Sequence, residues 1–280
     1  MPGMIRREVT DSWLLITQQD HAQLAGKIAE HLNFFRVTES EPDEFRTAAI
    51  AAIYQHDAGW IETDQMGILN SHAEPIHVFE IPTMVALETW SQSVELARDL
   101  HPYTTLLVSI HQMALSTMVI NHASKHTPLE LFSINKFQHK QSEFQEDLRE
   151  QLGLSTTVPL TYGLAARGVD AREDLLRSHF RLLTFCDRLS LELCCGHALF
   201  DIIDDVPRSK TIRPVNVQTA MPDANRARIQ PWPFATDSPI TVTTEAVQMP
   251  HRPFASPADF IAFYRQCNRK PIQFHLQNGR

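Results

Sequence analysis

Up to about residue 205, apolar residues mostly recur three and four positions apart; after that, alternation takes over. The first spacing is that of a helix with one buried face, the second that of a half-buried strand. The start of the chain is an exception. Residues 4–17, MIRREVTDSWLLIT, read as two short strands with Thr10-Asp11-Ser12 as the turn. Thr17-Gln18-Gln19-Asp20 then has the form of a capping box, with Asp in the place of Glu, and predicts a helix from about Gln18. Its apolar positions are Leu24, Ala25, Ile28 and Leu32, and His21 lies in its first turn.

Pro42 opens a second predicted helix, which runs through FRTAAIAAIYQHD and stops near Gly59. Phe45, Ala48, Ala49, Ala52, Ile53 and His56 fall on one stripe, so His56 belongs to the apolar face. The segment IETDQMGILNSHAEPIHVFEI reads as a long loop, a type often tied to function. Helices follow over 83–99, 103–122 and 128–152, the last stopped by Gly153. The middle one, with His111, is apolar enough to be central. A further helix, AREDLLRSHFRLLTFCDRLSLELCCG, holds Asp187 between Cys186 and Leu189 and ends at Gly196. Residues 212–248 read as strands and Pro-rich turns, Ser256-Pro257-Ala258-Asp259 opens a short helix, and IQFHL forms a last strand expected beside the N-terminal hairpin. The expected fold is mainly α: a helical domain over 1–205 with an N-terminal β-hairpin, and a small β-rich appendage over 206–280 packed on it.

With 280 residues and 43% hydrophobic content, the chain can bury a core without staples. A net charge of −8 and the lack of a basic stripe argue against nucleic acid and anionic membrane as partners. No long apolar run suggests a membrane span, and MPGMIRREVTDSW lacks the apolar core of a signal peptide. Cys186, Cys194, Cys195 and Cys267 have no zinc-finger or redox spacing and read as small apolar residues of a reducing, cytoplasmic protein. The 14 histidines are the compositional outlier and direct attention to metal.

His21, the pair His56-Asp57 and Asp187 lie on three predicted helices. A buried carboxylate is expensive unless paired or metal-bound, and imidazole with carboxylate suits divalent transition metals. Each residue also has an ordinary reading. His56-Asp57 suits a helix C-terminus, His21 a surface turn, and Asp187 a pair with Arg181 or Arg188. Glu62 and Asp64 read as solvated loop residues, while Arg46, Lys136 and Arg188 are cations that could meet a phosphate.

Taken together, H…HD…D across helices resembles the HD superfamily of metal-dependent phosphohydrolases. The resemblance implies an HD-like helical bundle and a single divalent Mn, Fe, Ni, Co or Zn ion held by His21, His56, Asp57 and Asp187. It also implies a small phosphoester or nucleotide-like substrate, with Asp57 orienting the attacking water and His111 protonating the leaving oxygen. His111 is the one convincing extra histidine, which favours one metal over two. The lysine that often follows the dipeptide is missing, since Trp60 follows Gly59. More narrowly, QQDHAQLAGKIAEHL, HDAGW, HPYTTLLVSIHQMAL, FCDRLSLELC and PWPF are similar to a bacterial family, domain of unknown function 3891, along nearly the whole chain. That family brings no assigned reaction. Two other classes remain open: a di-iron oxygenase on the HD fold, which needs more ligands, and a non-catalytic ligand-binding sensor.

Overall fold

Capping chemistry starts the first helix where the sequence places it. Thr17 Oγ1 accepts from the Asp20 N–H at 3.0 Å, and α1 runs over Gln18–Glu30. The computed structural model describes residues 3–35, 43–121, 126–154, 171–209 and 213–279. Pro42 and His122 lie outside the described residues. The helices that follow are α2 (Asp43–Gln55), the one-turn α3 (Trp60–Thr63), α4 (Thr83–Ala97), α5 (Pro102–Asn121), α6 (Pro128–Leu152), α7 (Ala171–Cys195) and α8 (Pro257–Tyr264). Thr127 and Glu130 close a capping box ahead of α6, and Gly153 ends it in the left-handed region at φ 64°. The stretch 102–120 of α5 is long and apolar enough to cross a membrane, but 67% of it is buried inside the protein, as befits a central helix. It packs on α2, α4, α6 and α7.

The strands overturn the mainly α expectation. The fold is mixed, 52% helix and 23% strand, with one seven-stranded sheet curled into a half-barrel. Its strands are β1 (Ile5–Val9), β2 (Ser12–Ile16), β3 (Ile202–Val206), β4 (Val215–Asp223), β5 (Arg226–Gln230), β6 (Ile240–Pro250) and β7 (Arg269–Asn278), in the order β1-β2-β6-β7-β5-β4-β3. The N-terminal hairpin and the C-terminal strands are parts of this one sheet. β2 pairs antiparallel with β6, Trp13 opposite Met249 and Leu15 opposite Val247. The last strand does not lie beside the hairpin as expected. β7 sits between β6 and β5, antiparallel to the first and parallel to the second. Alternation in a short segment identifies a strand but not its partner, and the β2–β6 partners lie more than two hundred residues apart along the chain.

The main core lies between the helices and the sheet and includes Ile5, Ile16, Leu24, Ile28, Leu107, Phe180, Leu183, Val242 and Phe274. A smaller cluster of Trp13, Leu15, Val247, Met249, Phe254 and Phe260 joins α8 to strands β2 and β6. α1 contacts α2, α7 and β6, so it connects the helical layer to the sheet. Its approach to α2 is close: the Tyr54 ring lies 2.3 Å from where a Cβ on Gly26 would stand.

Candidate metal centre

α1, α7, α5 and the end of α2 meet around one buried point. α1 presents His21 from its first turn, and α7 presents Asp187 from its middle. His56 and Asp57 occupy the turn after α2, and His111 projects from α5. That turn is held from two sides. Gln112 donates to the His56 carbonyl, and the Gly59 N–H donates to Ser93 Oγ on α4 at 2.9 Å. His21, His56 and His111 are at most 1% exposed. Their rings are stacked edge to face, His21 to His56 at 5.4 Å and His56 to His111 at 5.2 Å between centroids.

The donor atoms form a tight group. His21 Nε2 is 3.0 Å from Asp187 Oδ1 and 3.9 Å from Asp57 Oδ2. His56 Nε2 is 3.4 Å from each of Asp57 Oδ2 and Asp187 Oδ1, and His111 Nε2 is 3.8 Å from Asp187 Oδ2. Ligands at about 2.1 Å from a common ion stand about 3.0 Å apart in an octahedron and about 3.4 Å apart in a tetrahedron. The observed separations are of that size. His21, His56 and Asp57 form one possible ligand group, and His56, His111 and Asp187 another, with His56 shared.

Hydrogen bonds on the far sides of the rings fix the tautomers. His56 Nδ1 stands 2.8 Å from the Ile53 carbonyl oxygen, which can only accept, so Nδ1 carries hydrogen. Ser190 Oγ donates to the Asp187 carbonyl at 2.9 Å and is left to accept from His21 Nδ1, also at 2.9 Å. In their neutral forms both rings therefore turn Nε2 lone pairs toward carboxylate oxygens. His56 Nε2 is buried and makes no hydrogen bond among the described residues. Lone pair facing lone pair is repulsive unless positive charge lies between, either a proton or a cation.

The electrostatics agree. Burial opposes protonation of His56, but Asp57 and Asp187 outweigh it and raise its pKa to about 9. Burial also works against an ionised Asp187, yet the His21 and His56 rings hold it well below the ordinary carboxylate range. Asp57 is pushed up by burial, against the pull of His56 and His21. Burial drives His111 down to about 3, with Asp187 only partly opposing, so this ring is neutral near pH 7. The residues present fit a divalent transition metal: imidazoles whose outer nitrogens are held by fixed hydrogen bonds, and two carboxylates to balance the charge.

The residues picked from the sequence are thus brought together: His21, His56, Asp57, His111 and Asp187. Arg181 does not take Asp187, pairing instead with Asp205 at 3.3 Å. Glu62 and Lys136 are exposed, and Arg46 donates to the Phe35 carbonyl. Asp64 departs from expectation. It is 4% exposed rather than solvated, and neither carboxylate oxygen has a hydrogen bond among the described residues. Burial, with Asp20 and Asp57 adding to it, raises its pKa well above the usual range. The signal was the spacing of Trp60 and Asp64, four apart and so on one side of a helical turn. Ser190, three residues after Asp187, was also missed, because nothing in its sequence neighbourhood separates an orienting hydroxyl from any helical serine.

No curated protein and no solved structure matches the chain. The family model described as "Protein of unknown function (DUF3891)" matches residues 4–251. That match spans most of the chain and covers every residue of the centre, so the chain belongs to the DUF3891 family.

Proposed function

We propose that this protein is a metal-dependent hydrolase of small phosphoesters, with a donor set of the HD-superfamily type placed beside a sheet. The observation that carries the reading is the pair of imidazoles whose outer nitrogens are committed elsewhere and whose Nε2 atoms face two carboxylates across 3.0–3.9 Å. His21, His56, Asp57 and Asp187 would hold one divalent ion. When bound, such an ion acidifies a water molecule and polarises a phosphoryl oxygen.

The protein's own groups have separable tasks. Ser190 and the Ile53 carbonyl keep the His21 and His56 rings in the tautomer that offers Nε2. Asp57, with its side chain 9% exposed, can accept a hydrogen bond from the attacking water. His111 is neutral at ordinary pH and acts as a further neutral donor beside Asp187. An imidazolium of pKa about 3 would not be present to protonate a leaving oxygen.

Elemental mass spectrometry of the purified protein, beside His56→Ala and Asp187→Ala, tests the reading. We expect near-stoichiometric transition metal, lost in both variants, and turnover of at least some members of a phosphoester panel. Two irons per chain would turn the assignment to oxygenase chemistry. A folded protein that cannot be loaded with metal would leave a binding role and end the hydrolase reading.

A further inference from the structure

Where a helix ends, its last carbonyls lose their intrahelical donors, and buried ones need a replacement. The carbonyls at the end of α2 find theirs close by in the chain. Ile53 O faces the His56 ring, Gln55 O accepts from the Ala58 N–H at 3.0 Å, and Asp57 O accepts from the Trp60 N–H at 3.1 Å. The His56 carbonyl is different. Its donor is the side-chain amide of Gln112, 56 residues away on α5. That carbonyl belongs to the peptide joining His56 to Asp57, so one hydrogen bond holds the link between two candidate ligands. Gln112 also follows His111, whose ring lies edge to face with that of His56. Two consecutive residues of α5 therefore meet His56, one at its ring and one at its carbonyl.

Packing alone does not account for a glutamine here. The side chain is fully buried. Only its nitrogen can face a carbonyl, so Oε1 points elsewhere, and it has no donor among the described residues. An amide buried with one end unsatisfied is costlier than a methionine of the same length. Local costs of this kind are tolerated where the position of a functional group depends on them.

We propose that Gln112 is the positioning residue of the His56–Asp57 pair. It fixes the peptide between them, and through that peptide the stance of His56 Nε2 and Asp57 Oδ2, which lie 3.4 Å apart. Its effect on the ion rests on the proposed function, whereas its hold on the turn is a property of the protein with or without metal.

Two measurements test this on the wild type, Gln112→Met and Gln112→Glu. One is hydrogen exchange at the Ala58 and Gly59 amides of the metal-free protein, read by NMR. The other is Co²⁺ binding, read from visible d–d absorption in competition with a chelator. Met matches the length and removes the donor. Glu, as the neutral acid that burial favours, keeps an O–H for the same carbonyl. In Gln112→Met the orphaned His56 carbonyl offsets the removal of Oε1, so the melting temperature should stay near that of the wild type. Exchange at Ala58 should rise about tenfold or more. The Co²⁺ dissociation constant should rise about ten- to a hundredfold, with an altered absorption band. Gln112→Glu should stay close to the wild type in both. Gln112→Asn, one methylene too short to reach, gives the same reading should the methionine variant not fold. Ala58 exchange in Gln112→Met equal to that of the wild type, or raised equally by Met and Glu, overturns the proposal. So does a loosened turn that binds Co²⁺ as the wild type does. A wild type that takes up no Co²⁺ would sink the metal reading instead, and the exchange rates would still decide the role of Gln112.

Discussion

Ser190 Oγ accepts from Nδ1 of His21 at 2.9 Å while giving its own proton to the carbonyl of Asp187, one helical turn back. One hydroxyl thus ties a candidate ligand on α1 to the backbone that carries a candidate ligand on α7. Removing it leaves the His21 N–H buried without an acceptor and the ring free to change tautomer. Ser190→Ala should weaken metal binding ten- to a hundredfold, the usual effect of losing an outer hydrogen bond to a metal-bound histidine. Competition with a chromophoric chelator reads this directly. An unchanged dissociation constant would mean that His21 is not oriented by Ser190.

Asp64 gives a prediction of opposite sign for stability. Its folded pKa is raised, so between the ordinary carboxylate value near 4 and the higher folded value the native state binds more protons than the unfolded one. Stability is then lost as pH rises through that window. Asp64→Asn should stabilise the protein at pH 7, and the gain should vanish below about pH 4. Thermal melts at both pH values measure it. A gain that persists under acid would show that the carboxylate charge is not the cause.

The helices other than the one-turn α3, which falls where the sequence reads as a loop, were readable because each declares itself locally. Thr17 with Asp20, Thr127 with Glu130, and the left-handed Gly153 mark ends, and the apolar spacing marks faces. His56 on the apolar stripe of FRTAAIAAIYQHD and Asp187 between Cys186 and Leu189 were legible for the same reason, as polar groups where the period asks for apolar ones. The sheet was not, because the pairing of Trp13 with Met249 is decided by packing between distant segments. The orienting partners were invisible too. The Ile53 carbonyl is a backbone group, and Ser190 matters only through where α1 lies against α7.

His77 sets a second pH dependence, away from the centre. Its Nδ1 accepts from the Phe79 N–H at 3.2 Å and caps a short 3₁₀ turn over Val78–Glu80. Burial and then Arg6 lower its pKa to about 4, with Glu80 opposing. The folded state therefore binds fewer protons than the unfolded one between pH 6.5 and about 4, and stability falls as pH drops through that window. His77→Asn keeps a capping oxygen without titrating. Its stability should vary less with pH between 7 and 4 than that of the wild type, as followed by urea midpoints. Parallel profiles for the two proteins would place the acid sensitivity elsewhere.

Gly59 is required by space rather than by backbone conformation, since its φ of −63° suits any residue. A Cβ there would stand 2.1 Å from the Thr89 carbonyl oxygen and 2.4 Å from the Ser93 nitrogen, both backbone atoms of α4. Neither can swing aside as a side-chain tip could, so the turn that carries His56 and Asp57 would have to lift off α4. That also breaks the Gly59 N–H bond to Ser93 Oγ. Gly59→Ala should cost about 3 kcal/mol, at the upper end for overpacking, and should weaken metal binding as well, because His56 and Asp57 move with the turn. Ser93→Ala separates the two effects. It removes the hydrogen bond but adds no bulk, so it should cost only about 1 kcal/mol and leave metal affinity nearly intact. If Gly59→Ala melted with the wild type and bound metal equally well, the contact with α4 would not be what holds the His-Asp turn in place.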